Sequence, residues 1–75
     1  MKPEKRSFSI AGHRTSISLE APFWEALHAL SAEAGLSLAQ LVANIDGQRG
    51  RTNLSSAVRV YILNHYRKRA TLAPT

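Results

Sequence analysis

Arg14-Thr15-Ser16-Ile17-Ser18-Leu19 alternates without interruption and runs straight into helix-forming sequence. Thr15, Ile17 and Leu19 fall on one side of an extended chain, and Arg14, Ser16 and Ser18 on the other. That is a strand with one face for a core and one for water or a ligand. A strand this short cannot stand alone, because its backbone N–H and C=O groups need a neighbouring strand. Two neighbours are possible. A second alternating run, Arg6-Ser7-Phe8-Ser9-Ile10, can fold back as a hairpin through Ala11-Gly12-His13; alternatively, the strand pairs with its copy from a second chain. A 75-residue chain without cysteine buries only about 60% of its unfolded surface. It has neither disulfides nor zinc-ligand spacing to compensate. Small size and broad apolar helix faces therefore favour the intermolecular ribbon, to which the hairpin can still add an outer strand.

Three helices follow. Pro22 suits a first helical turn, and Phe23, Leu27, Leu30 and Ala34 recur at the spacing of one buried face, with Trp24 beside it. Phe23 is expected in the core, and Trp24 at a dimer seam or against the last helix. Gly35 closes this helix over residues 22–34. Ser37 caps a second, residues 38–46, with an apolar stripe of Leu38, Leu41, Val42 and Ile45. Asp46 to Arg51 holds two glycines and reads as a basic loop. Thr52 or Asn53 caps a third helix, residues 54–68, in which Leu54, Ala57, Val58, Tyr61, Ile62 and His65 share a face. One domain over residues 6–69 is expected, with a flexible arm at 1–5 and a flexible tail at 70–75.

The net charge of +5 is unevenly distributed. Residues 1–14 carry Lys2, Lys5, Arg6 and Arg14 against Glu4. Residues 15–46 carry no base but hold Glu20, Glu25, Glu33 and Asp46, and residues 47–75 carry Arg49, Arg51, Arg59, Arg67, Lys68 and Arg69. A polyanion-binding surface would have to combine the N-terminal segment with the C-terminal third.

The stretch RTSISLEAPFWEALHALSAEAGLSLAQLVANI, from Arg14 to Ile45, resembles the ribbon-helix-helix family of Arc-, MetJ- and CopG-like DNA-binding domains. The shared pattern is a short strand ending in Ile-x-Leu, an acidic or Pro-containing helix start, a Gly-terminated helix and a Ser-capped second helix. The flanks Arg6–His13 and Asn53–Arg59 resemble a small proteobacterial subgroup of stand-alone members with a third helix. The resemblance implies a mainly α fold with a short β-ribbon, forming an intertwined homodimer with an added C-terminal helix. It also implies a sequence-specific DNA-binding protein, a transcriptional repressor whose antiparallel ribbon enters the major groove. Arg14, Ser16 and Ser18 would meet base edges. Leu36, Ser37 and Leu38 would present backbone N–H groups to a phosphate, and Lys2, Lys5, Arg6, Arg49 and Arg51 would add phosphate contacts. Thr15, Ile17, Leu19, Phe23, Leu27, Leu41 and Ile45 would form the dimer core. Two departures from the family stand out: the second helix ends early, near Asp46, and Arg14 is the only base of the matching segment.

Other chemistry finds little support. His13, His28 and His65 have no metal-ligand spacing, no Gly-rich phosphate loop is present, and no nucleophile, base and oxyanion set can be assembled. No enzyme activity, metal or cofactor is expected. The start carries no secretory signal pattern and no run reaches the roughly 18 apolar residues of a membrane span, so a cytoplasmic protein with no membrane partner is expected. The competing reading is a protein-interaction module, antitoxin-like or adaptor, that uses the third helix or the basic tail.

Overall fold

The computed structural model describes residues 1–72, in the order β1 (Glu4–Ile10), β2 (His13–Leu19), α1 (Ala21–Ala34), α2 (Leu38–Gln48) and α3 (Leu54–Leu72). β1 and β2 are an antiparallel hairpin in register from Glu4 opposite Leu19 to Ile10 opposite His13. The neighbour that β2 requires is thus supplied by the same chain. Only Ala11 and Gly12 form the turn, at φ 50° and 83°, the left-handed pair that a two-residue hairpin loop of type I′ demands. β1 begins at Glu4, inside the stretch read as a flexible arm, because Glu4 and Lys5 pair with Leu19 and Ser18.

α1 takes Pro22 in its first turn and ends in a Schellman motif. Gly35, at φ 70°, donates its N–H to the Ala32 carbonyl, and Leu36 donates to Ser31. The chain then bends by 97° into α2. A capping box starts α2: Ser37 Oγ accepts from the Gln40 N–H, while Gln40 Oε1 accepts from the Ser37 N–H. α2 runs two residues past Asp46, to Gln48. Asn53 is the residue that caps α3, its side chain accepting from the Ser56 N–H and its carbonyl from Ala57. α3 continues through Leu72, so residues 70–72 are helical where a tail was expected; the rest of that tail, 73–75, lies outside the described residues.

The core closes within one chain. Ile17 and Leu19 from the inner face of β2 pack with Trp24, Leu27 and Leu30 of α1, Leu41, Val42 and Ile45 of α2, and Leu54, Val58 and Ile62 of α3. Burial of this kind supplies about 1.5–3 kcal/mol per large apolar side chain. Five side chains expected at a dimer core, Ile17, Leu19, Leu27, Leu41 and Ile45, are therefore buried inside a single chain, while Thr15 and Phe23 are half-buried. β1 and α3 supply this cover from within the chain.

The roles of the paired aromatics are exchanged. Trp24 is 2% exposed, lies 6.1 Å from the Phe8 ring and donates its indole N–H to the Glu4 carbonyl at 2.9 Å. Phe23 sits at the rim under the Arg59 guanidinium, 5.7 Å away. α1 is rotated by about one residue from the expected face because β1 covers it on the Trp24 side, and Ala34 is left exposed.

Candidate nucleic-acid interface

The hairpin register sorts side chains onto two faces. Arg6 opposite Ile17 and Phe8 opposite Thr15 point to the helices; Lys5 opposite Ser18, Ser7 opposite Ser16 and Ser9 opposite Arg14 point away. Lys5, Ser7, Ser9, Arg14 and Ser16 are exposed and Ser18 is half-buried. This outer face holds four hydroxyls, two cations and no carboxylate. Ser7 and Ser16 bring their hydroxyl oxygens to 3.5 Å across it. Among the described residues, the ion pairs engage Arg49, Arg59 and Arg69 and leave Lys5 and Arg14 without a carboxylate.

Arg14, Ser16 and Ser18 thus share one face, as expected, and Lys5 joins them. Ser7 and Ser9 were not anticipated there. Their parity depends on the turn, and the two-residue Ala11-Gly12 loop is what aligns them with Arg14. Lys2 lies just before β1 and is exposed, and Arg51 is exposed in the loop before α3.

Several expected phosphate contacts are committed elsewhere. Arg6 lies on the helix side of the sheet, its guanidinium 4.6 Å over the Trp24 ring and donating to His28 Nε2 at 3.4 Å. Arg49 is tied by Nε to Asp46 at 2.6 Å and by Nη1 to the Thr52 carbonyl at 2.7 Å, which holds the loop and neutralises its charge. At the start of α2, the Leu36 N–H closes the Schellman motif and the Ser37 N–H closes the capping box. Of the three amides expected there, Leu38 keeps a free helix-terminal N–H, together with Ala39.

The side of β2 that does not face β1 meets α3. Ser18 donates its N–H to Ser55 Oγ at 3.1 Å and accepts from Arg59 Nη2 at 3.1 Å. The same Arg59 binds the Glu20 carboxylate, Nη2 to Oε1 at 3.0 Å. Glu20 is held below the usual carboxylate range, first by a hydrogen bond from its own backbone N–H and then by the Arg59 side chain. At the far end of α3, Arg69 pairs with Glu33, which keeps its guanidinium more firmly protonated.

Among the described residues, no group of three His, Cys, Asp or Glu side chains is placed to hold a metal ion. No single helix among them is long and apolar enough to cross a membrane. What remains is a small helical protein displaying a polar, cationic two-stranded β-ribbon in front of three helices. The chain belongs to the ribbon-helix-helix domain family, whose model matches residues 3–66. That family generally binds DNA as dimers in transcription regulation, and its fold is non-enzymatic. A solved structure, that of an uncharacterized protein from Bordetella pertussis Tohama I, is similar at a TM-score of 0.81 and 28% identity. The match covers 92% of this chain and 59% of that one, so this chain spans less than two thirds of that relative's length. No curated protein sequence matches.

Proposed function

We propose that the chain is a homodimeric, sequence-specific DNA-binding protein that acts as a transcriptional repressor, with the outer face of its hairpin in the major groove. The observation that carries this reading is the composition of that face: four serines, Lys5 and Arg14, with no carboxylate among them. Arg14 has the donor fork to bond guanine O6 and N7 bidentately, and the hydroxyls of Ser16 and Ser18 can donate to or accept from any base. Lys5 and Lys2 supply phosphate charge neutralisation, and the free Leu38 and Ala39 amides at the start of α2 suit a phosphate oxygen.

The test is a titration of purified protein against random-sequence duplex at two salt concentrations, with the mass in solution measured alongside. Salt-sensitive binding by a dimer is expected. A dimer that ignores duplex at low salt would overturn the reading.

A second reading is favoured by a separate observation. Val60, Leu63 and Tyr66 of α3 are 52%, 55% and 39% exposed, beside a groove lined by Ile45, Ala57 and Tyr61. Such an apolar row suits a protein partner, and failure of the duplex titration would make it the leading explanation.

A further inference from the structure

α3 carries two stripes. Leu54, Val58 and Ile62 are buried in the core, while Val60, Leu63, Arg67 and Ala70 recur at i, i+3, i+7 and i+10 and are all exposed. The groove beside Val60, with Ile45, Ala57 and Tyr61 along it, meets a second groove at Asn64, which borders both; the second lies against Arg67 and Lys68. From Ala57 to Lys68 the trough follows eleven helical steps, about 17 Å. It is apolar at the α2 end and basic at the other, and among the described residues no carboxylate lines either part. The basic end is also unneutralised: Glu20 engages Arg59 and Glu33 engages Arg69, whereas Arg67 and Lys68 have no ion-pair partner among the described residues.

We propose that this face of α3 binds an acidic amphipathic helix of another protein. The inference rests on the second reading above, a protein partner on α3, and names that partner's chemistry. Apolar side chains of the partner at i, i+3 or i+4 and i+7 would lie along Val60 and Leu63 and fill the groove over Ile45 and Ala57, with its carboxylates against Arg67 and Lys68. Carboxylates are favoured in the first turn of a helix, so the partner runs antiparallel to α3. A second copy of this chain does not match the trough. Among the described residues the exposed large apolar side chains are those of α3 and Met1, and the acids that ion pairs leave free, Glu4 and Glu25, lie on β1 and α1. Beside Glu25, α1 exposes Ala29 and Ala32 rather than large anchors. Two α3 helices laid together bring no carboxylate to either basic end, since residues 47–75 contain none. A nucleic acid would suit Arg67 and Lys68 but would lay its phosphates over Val60 and Leu63, desolvating charge against apolar surface.

The test is selection of helical peptides from a displayed random library on the full chain, followed by fluorescence anisotropy of the enriched peptide. Enriched peptides should combine apolar residues at that spacing with Asp or Glu in the first turn. Val60→Ser and Leu63→Ser change exposed side chains, and each should weaken the enriched peptide by about 10-fold; far-UV circular dichroism checks that the variants fold. Arg67→Glu combined with Lys68→Glu should weaken it similarly and restore binding of a version whose acids are replaced by lysine, a rescue that a structural role would not give. Enrichment of neutral or basic peptides that depend on Val60 would overturn the acidic partner and keep a protein partner on α3. Failure to enrich any peptide that depends on Val60 or Leu63 would overturn both. A drop in the chain's own mass on Leu63→Ser, read by sedimentation, would assign the row to a second copy. Loss of duplex affinity in the double Glu variant would assign the basic end to nucleic acid, and either result overturns the proposal.

Discussion

Ala11 sets the geometry of the whole ribbon. It is the one non-glycine residue with positive φ among those described, at 50°, and a left-handed conformation costs an L-residue with a Cβ roughly 1–2 kcal/mol. Asparagine tolerates that region far better, and Asn-Gly is the favoured type I′ pair. Ala11→Asn is therefore expected to stabilise the protein by about 0.5–1 kcal/mol, read as a rise of a few degrees in melting temperature for a domain this small; a lower melting temperature would contradict the two-residue turn. The same residue marks the limit of what the sequence made legible. Counting Ala11-Gly12-His13 as a three-residue loop would pair Ile10 with Arg14 and scatter polar and apolar side chains over both faces. With the loop at two residues, Ser9 meets Arg14 and the faces separate cleanly. Arg14 then carries the sharpest functional expectation of any single side chain. Arg14→Ala should lower affinity for a preferred duplex by roughly 1–3 kcal/mol and flatten discrimination between sequences. Unchanged preference in a competitive binding assay would remove Arg14 from base recognition.

Among the elements, α3 has a core face that is legible in its sequence and a second role that is not. Its buried face of Leu54, Val58 and Ile62, flanked by half-buried Ala57, Tyr61 and His65, follows directly from helical spacing. That Ser55 and Arg59 would reach Ser18 depends on contacts 37 and 41 residues apart, which periodicity does not encode. The exchange of Phe23 and Trp24 has a similar origin, because only the presence of β1 decides which side of α1 is covered. The Arg59–Glu20 pair gives this docking a pH dependence. Glu20 is held below its ordinary value in the folded chain, so its contribution is complete above the unfolded carboxylate pKa, about 4.3, and is lost as pH falls through the folded value. Thermal melts from neutral pH down to about 3 should show the unmodified chain losing more stability than Glu20→Gln, with the two converging at the acid end. Parallel losses over that range would mean that the ion pair does not help hold α3 against β2.

At the scale of the whole molecule the charge is sorted by layer. The ribbon and the arm before it hold Lys2, Lys5 and Arg14 without a paired carboxylate; the one acid of the ribbon, exposed Glu4 opposite Leu19, lies off the outer face, and the exposed acids Glu25 and Glu33 sit on α1. The Arg49 charge is paired with Asp46, and Arg6, though exposed, stands on the helix side of the sheet beside Trp24 and His28, away from the outer face. The cationic surface is therefore smaller than the net charge of +5 suggests, and it should bind DNA with a correspondingly modest electrostatic component. Two phosphate-facing cations per chain, Lys2 and Lys5, doubled in a dimer, predict that log K falls with log salt at a slope of about −4, at close to 0.9 per phosphate neutralised. Lys5→Ala removes two of them from the dimer and should reduce the slope by roughly 2, weakening preferred and random duplexes alike. Titrations of the unmodified and variant proteins at four or more salt concentrations give both slopes. A slope that Lys5→Ala leaves unchanged would take Lys5 off the DNA surface, and because Lys5 and Arg14 share the outer face of one hairpin, it would put the placement of that face in the groove in question as well.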